Sequence, residues 1–232
     1  MNATAPSPAP GRLRPWAFLG LLLLIAAGGG AATTTERLAT YGASVRSRLA
    51  PACEAAGVSY PPTSFTLIGL KAEKRLELWA PDAAGRPRLV KAYPVLAASG
   101  GAGPKLREGD RQVPEGLYAI ESLNPNSRFH LSLRVDYPNA ADRRRAQAEA
   151  RTGLGGDIMI HGSNVSIGCL AMGDPAAEEL FVLAALTGPK NIRVILSPVD
   201  FRRLDKIDLP AGLPAWVPEL HAEIKAELAR YR

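Results

Sequence analysis

Asp157-Ile158-Met159-Ile160-His161-Gly162-Ser163-Asn164-Val165-Ser166-Ile167-Gly168-Cys169 is the stretch on which the reading of this chain turns. Asp157 to Ile160 has the length and apolar content of a short buried strand, and that strand delivers His161. Gly162 lets the chain turn away from the histidine, and Gly168 makes a second glycine turn directly before Cys169. The chain has only three histidines and two cysteines, so one of each this close is informative. A thiol attacks a carbonyl well as thiolate, and an imidazole in reach can take its proton. The amides of Gly168 and Cys169 are candidates for an oxyanion hole, because glycine puts no side chain in the way. Ser166 is a candidate for orienting the imidazole or holding substrate backbone. Asp174-Pro175 reads as an N-cap and N1 proline, opening a helix to about Leu186. The dipole of that helix is a candidate stabiliser of the thiolate.

Two other uses of the same residues compete. A metal site needs three or four ligands, and only His130 and Asp157 are available to join His161 and Cys169. No second Cys or His motif is present, so no metal is expected. A disulfide between Cys53 and Cys169 is the other use, in which Cys169 is structural. Cys53 sits in Ala50-Pro51-Ala52-Cys53-Glu54-Ala55-Ala56-Gly57, a plain helical context that reads as a small buried hydrophobe.

Outward from this stretch, helical spacing gives a first helix over 36–56, with Leu38, Tyr41, Val45 and Leu49 on one face and Pro51 expected to break or kink it. Tyr60-Pro61-Pro62 marks a linker. Strand signals follow at 65–70, 75–79, 88–95, 117–120, 129–135 and 192–196, separated by Gly, Pro, Asp and Lys breaks. Residues 138–156 read as a long basic, Ala-rich connection, in which Arg143-Arg144-Arg145 is a solvated loop or helix face. Residues 216–231 read as an amphipathic C-terminal helix. Strands do not alternate with helices, which argues against a doubly wound parallel sheet and for a mainly antiparallel β sandwich or barrel with flanking helices.

The N-terminus is a separate matter. Arg12 and Arg14 precede an apolar run over 16–27, and Gly28-Gly29-Gly30-Ala31-Ala32 follows. That is the layout of a secretory signal peptide. The run is shorter than the roughly 20 residues a comfortable span needs, although the small residues to Ala32 leave an uncleaved membrane anchor open. Export to the periplasm or cell envelope is expected. The net charge is +6 and the pI about 9.5. The basic residues are scattered and no base-reading module appears, so nucleic acid is not an expected partner. An anionic membrane face or cell-wall polymer suits this balance better. No Ser-x-x-Lys occurs, which excludes a serine transpeptidase of the β-lactam-binding type.

At this point the residues resemble a known family. The His161-Gly162 and Ser166-Ile167-Gly168-Cys169 pair resembles the signature of the L,D-transpeptidase catalytic domain (YkuD-like). Val113-Pro114-Glu115-Gly116-Leu117-Tyr118-Ala119-Ile120 resembles a second motif of that family. The segments 103–120, 123–143, 151–153 and 158–174 are similar to its YafK-like murein L,D-transpeptidase branch, and the resemblance runs from about Phe65 to Leu196.

The resemblance implies a mixed β sandwich and a cell-wall enzyme that needs no metal or organic cofactor. It implies a division into 1–32 (signal peptide or anchor), 33–62 (helix and linker), 63–200 (catalytic domain) and 201–232 (C-terminal extension with an amphipathic helix). Cys169 is implied as nucleophile and His161 as proton acceptor and donor. The substrates implied are peptidoglycan stem peptides cut at meso-diaminopimelate through a thioester. A same-fold hydrolase, either an L,D-carboxypeptidase or an amidase releasing a peptidoglycan-linked lipoprotein, is the first alternative, and a non-catalytic wall-binding module with a Cys53–Cys169 disulfide is the second.

Two departures stand out: the His-to-Cys interval is shorter than in prototypical members, and the usual Arg after Gly-Cys-x is Ala171. Arg128, Lys105 and Arg151 are the candidates for holding a substrate carboxylate instead. His130, present in the branch pattern, is a candidate for lining the cleft. Asp110, Arg111 and Glu115 read as a turn-stabilising ion-pair set.

Overall fold

The computed structural model describes Met1, Asn2 and residues 31–232. The apolar run over 16–27 lies outside the described residues. Among the described residues, no helix is long and apolar enough to cross a membrane.

Helix α1, Thr34–Ala55, opens on a capping box in which Thr33 accepts from the Glu36 amide and Glu36 accepts from the Thr33 amide. Pro51 lies inside α1 and does not break it. Val45, Leu49 and Cys53 form one buried stripe that spans the proline, so packing carries the helix through the lost hydrogen bond.

Strands β1 (Phe65–Leu70), β2 (Arg75–Pro81), β3 (Pro87–Pro94), β4 (Gly116–Ser127) and β5 (His130–Val135) follow. Helix α2, Ala140–Ala148, fills part of the expected connection over 138–156. Its only buried residue is Ala146, so it has no apolar stripe. The signal for it is the capping box of Asn139 and Asp142. Then come β6 (Met159–His161), β7 (Leu170–Ala171), α3 (Asp174–Thr187), β8 (Ile192–Ser197) and α4 (Val217–Leu228).

The strand order is β3-β2-β1-β8-β4-β5-β6-β7. Most pairs are antiparallel, but β1 with β8 and β6 with β7 are parallel, so the sheet is mixed. Strand β4 is the hinge of the architecture. Gly116 to Ala119 pair with β8, while Ile120 to Ser127 pair with β5. This long strand leads from one sheet into the next, and Leu67, Leu78, Leu133, Ile160, Leu170 and Leu196 from both sides share one core with α1 and α3. A Cβ at Gly69 on β1 would lie 2.7 Å from Leu196 and 3.4 Å from Leu170 on β7, which shows how closely the layers approach.

The outer face of β1, β2 and β8 is covered separately. Ile68, Leu70, Trp79 and Ile195 pack against Leu220, Ile224 and Leu228 of α4. Strands buried on both faces explain why β1 reads as an unbroken apolar run rather than an alternating one.

Candidate active site

Strands β6 and β7 pair Ile160 with Leu170 and His161 with Ala171. One step back in that register sets Met159 against Cys169, and the Met159 amide donates to Cys169 Sγ at 3.4 Å. Side chains alternate along a strand, so Ile160 and Leu170 enter the core while His161 and Cys169 share the opposite face. His161, which ends β6, and Cys169, which immediately precedes β7, therefore occupy diagonal positions on one face of the two short parallel strands.

His161 is buried, and its Nδ1 donates to the Gly162 carbonyl at 2.6 Å. A carbonyl only accepts, so Nδ1 carries the proton and Nε2 carries the lone pair. The Phe129 ring stacks on the imidazole, with centroids 4.7 Å apart and planes 28° apart. Burial holds His161 below the ordinary 6.5, although the Gly162 carbonyl acts the other way.

Cys169 is half-buried, and its thiol donates to the Asp157 carbonyl at 3.4 Å. Burial pushes it above the ordinary 9.0; the Met159 amide and Lys105 oppose the rise, while the Asp157 charge adds to it. The resting pair is thus a neutral thiol and a neutral imidazole, with no hydrogen bond between them. This differs from the thiolate expected of a cysteine near a helix start. Helix α3 begins only after β7 and Gly173, and desolvation at Cys169 prevails.

The glycines and Ser166 act differently from their sequence reading. Gly162 is needed for close approach: a Cβ there would lie 2.5 Å from Asp174 Oδ1 and 2.7 Å from the Phe129 carbonyl oxygen. Asp174 also accepts from the Ser163 amide at 2.7 Å, fixing the turn to the start of α3. Gly168 has φ +90°, which favours glycine. The two expected oxyanion donors are engaged by hydroxyls. The Gly168 amide donates to Ser99 Oγ at 2.7 Å, and the Cys169 amide donates to Ser166 Oγ at 2.9 Å. Ser166 donates in turn to the Cys169 carbonyl at 2.6 Å rather than to the imidazole. Buried amides require partners, and in this resting arrangement side-chain hydroxyls supply them.

His130 faces the helices. Its Nε2 lies 3.2 Å from Glu178 on α3, and its ring meets Tyr41 of α1 edge-on at 5.4 Å. Its neighbour Phe129, which carried no sequence signal as a site residue, is the one that reaches His161. Of the candidate carboxylate holders, Lys105 is bound to Asp110 at 2.7 Å and to the Arg107 carbonyl at 2.9 Å. Arg151 is bound to Glu149 at 2.6 Å and to the Leu106 carbonyl at 2.9 Å. Arg128 is exposed on the β4–β5 turn. Asp110 accepts from the amides of Leu106, Arg107 and Gln112, as a turn-stabilising residue should. Glu115 does not belong to that set: it is buried between Lys71 (2.9 Å) and His221 (2.8 Å).

Cys53 and Cys169 are both free thiols, so the disulfide of the wall-binding alternative does not form. Cys53 packs with Val45 and Leu49 in the core, while Cys169 is held at the β6–β7 edge. Among the described residues, no cluster of three or more His, Cys, Asp or Glu side chains is placed to hold a metal.

A family model for the L,D-transpeptidase catalytic domain (YkuD) matches residues 67–195. The chain belongs to the L,D-transpeptidase catalytic domain family. The matched residues of this family domain run from β1 to β8 and include His161 and Cys169. The YafK proteins of Escherichia coli K12 and O157:H7 are each 36% identical over 140 residues, covering 58% of this chain and 53% of theirs. The chain thus spans about half the length of the curated relatives it matches. Among solved structures, the helical cell shape determining protein Pgp2 from Campylobacter jejuni (K307A mutant) is 21% identical with a TM-score of 0.47, covering 72% of this chain and 52% of that one. Mycobacterium tuberculosis L,D-transpeptidase 1 is 14% identical with a TM-score of 0.34, covering 57% of this chain and 61% of that one.

Proposed function

We propose that this chain is an exported peptidoglycan L,D-transpeptidase acting on stem peptides at meso-diaminopimelate, with Cys169 as nucleophile and His161 as base and acid. Family membership supports the reaction class. The observation that supports the residue roles is the diagonal placement of His161 at the end of β6 and Cys169 just before β7, with Nδ1 fixed and Nε2 left as the proton acceptor.

In this reading the Cys169 proton passes to His161 Nε2 as sulfur bonds to the carbonyl carbon of the L-to-D peptide bond. The carbonyl oxygen takes the negative charge, and the Gly168 and Cys169 amides turn to it from their serine hydroxyls. The C–N bond then breaks, and the leaving D-amino acid takes the proton from the imidazolium. The thioester is resolved by an acceptor amine, whose proton goes to Nε2 while sulfur departs.

Water in place of the amine makes the same site a carboxypeptidase, or an amidase that frees a wall-linked lipoprotein. Ala171 favours keeping this second reading, because it is fully buried where the family places an Arg and offers no cation to an acceptor. Mass spectrometry of muropeptides decides between the two, using the full chain and a Cys169→Ala variant on disaccharide tetrapeptides and on lipoprotein-loaded wall fragments. Cys-dependent dimers or exchanged D-amino acids mean transpeptidation. Cys-dependent tripeptides or released lipoprotein without dimers mean hydrolysis. Turnover retained in Cys169→Ala would remove the cysteine mechanism altogether.

A further inference from the structure

Asp157 is the residue whose carbonyl receives the Cys169 thiol, and its backbone is unusual. It has φ 56°, in the left-handed region, although it is not glycine. Its carboxylate is held by Arg134 Nη1 at 2.8 Å. Arg134 stands on β5 directly opposite Met159, the residue whose amide contacts the same sulfur. Arg134 Nε in turn holds Glu121 of β4 at 2.6 Å. An exposed ion-pair chain, Glu121–Arg134–Asp157, thus ends on the backbone that touches the thiol.

We propose that Asp157, clamped by Arg134, is a positioning residue that sets the protonation of Cys169. The clamp stabilises the left-handed turn that aims the Asp157 carbonyl at Sγ, where it holds the thiol proton. The carboxylate adds negative charge beside the sulfur, and Arg134 offsets part of that charge. The other groups facing the thiol are fixed by their own partners. Lys105 is neutralised by Asp110 at 2.7 Å, and His161 is committed through Nδ1 to Gly162. The Arg134–Asp157 pair, with Asp157 largely exposed, is left as the adjustable charge at the site. Its bearing on catalysis rests on reading Cys169 as the nucleophile; its effect on the thiol does not.

The test is the pH dependence of Cys169 alkylation by iodoacetamide in the full chain, read by peptide mass so that Cys53 is scored separately. Three variants are compared: Asp157→Asn, Arg134→Met and Arg134→Lys. Asn tolerates the left-handed conformation and keeps the carbonyl while removing the charge. Asp157→Asn is expected to lower the alkylation midpoint by about one pH unit, which is about tenfold in rate below the midpoint. Arg134→Met leaves the carboxylate uncompensated and is expected to raise the midpoint. Arg134→Lys is expected to return it towards the wild type. Opposite shifts for the two members of one pair are what a merely structural clamp cannot produce. Shifts in the same direction, or no shift in variants whose thermal unfolding matches the wild type, would overturn the proposal. Alkylation needs no substrate, so this result is independent of whether the chain proves to be a transpeptidase.

Discussion

Phe129 lies almost parallel over His161, ring centroids 4.7 Å apart, at the rim of the site. Phe129 is 38% exposed while His161 is 1% exposed, so the phenyl ring is the outer wall of the imidazole's pocket. Stacking of this kind contributes about 0.5–1.5 kcal/mol beyond buried area. It also removes water from the ring, and desolvation is the largest influence holding His161 below 6.5. Phe129→Ala is therefore expected to lower kcat several-fold and to move the acid limb of the pH–rate profile up towards 6.5. Titration of the His161 ring by NMR checks the second effect directly. An unmoved His161 midpoint in a folded variant would show that the phenyl ring does not shield it.

The two ionisable groups make a joint prediction. In the proposed mechanism His161 must be neutral to accept a proton, and burial holds it below 6.5, so the midpoint of the acid limb of kcat/KM is expected below pH 6.5. Cys169 is raised above 9.0, so iodoacetamide alkylation is expected to keep climbing past pH 9. A stopped-flow or quench series over pH 5–10 tests both. An alkylation plateau already reached at pH 6 would mean a resting thiolate–imidazolium pair instead.

Ser99 offers a sharper test of the oxyanion donors. Its hydroxyl accepts from the Gly168 amide and donates to the Arg111 carbonyl, both at 2.7 Å. Ser99→Ala leaves that amide without its partner, which is expected to cost about 1 kcal/mol of stability. If the amide serves an oxyanion, kcat is not expected to fall, because the group is already available. A loss of a hundredfold in kcat with normal folding would instead make the Ser99 hydroxyl a participant in the reaction.

The candidate site was legible where its chemistry is carried by side chains in one short stretch. His161, Cys169 and the glycines around them lie on a single strand–turn–strand unit, so their proximity follows from sequence spacing alone. What surrounds them was not legible. Phe129 and Ser99 arrive from a distant strand end and a distant loop, and neither residue type signals a contact. Arg134 alternates outward on β5 like any solvated residue, and only the β5–β6 register brings it to Asp157. The fold follows the same division. The apolar strands were readable, but the parallel pairing of β6 with β7 rests on a strand of two residues, too short for any periodic signal. Helix α2 lacked the apolar stripe that makes a helix visible.

Glu115 gives the last prediction, because it joins stability to the site. It is 1% exposed and accepts from Lys71, His221 and the Gly103 amide. Burial works against its charge, yet hydrogen bonds from His221 and Lys71 hold it below the ordinary 4.5. A carboxylate depressed on folding contributes stability that is fully present above 4.5 and is lost as pH falls through its folded value. The unfolding temperature is therefore expected to be insensitive to pH around 7, where the contribution of Glu115 is fully present, and to fall as the pH drops below 4.5. Lys71 Nζ also donates to the carbonyls of Gly103 and Val113, so the pair fastens the loop that carries Ser99. Lys71→Met removes three donated hydrogen bonds and leaves Glu115 with His221 and one amide. Breaking a buried pair in this way costs about 3–5 kcal/mol. Hydrogen exchange at the Gly168 amide is expected to accelerate in this variant before global unfolding does, since the loop that supplies its partner loses its anchor. Exchange that speeds equally across β1, β8 and Gly168 would mean that Lys71 supports the whole sheet and not the loop over the site.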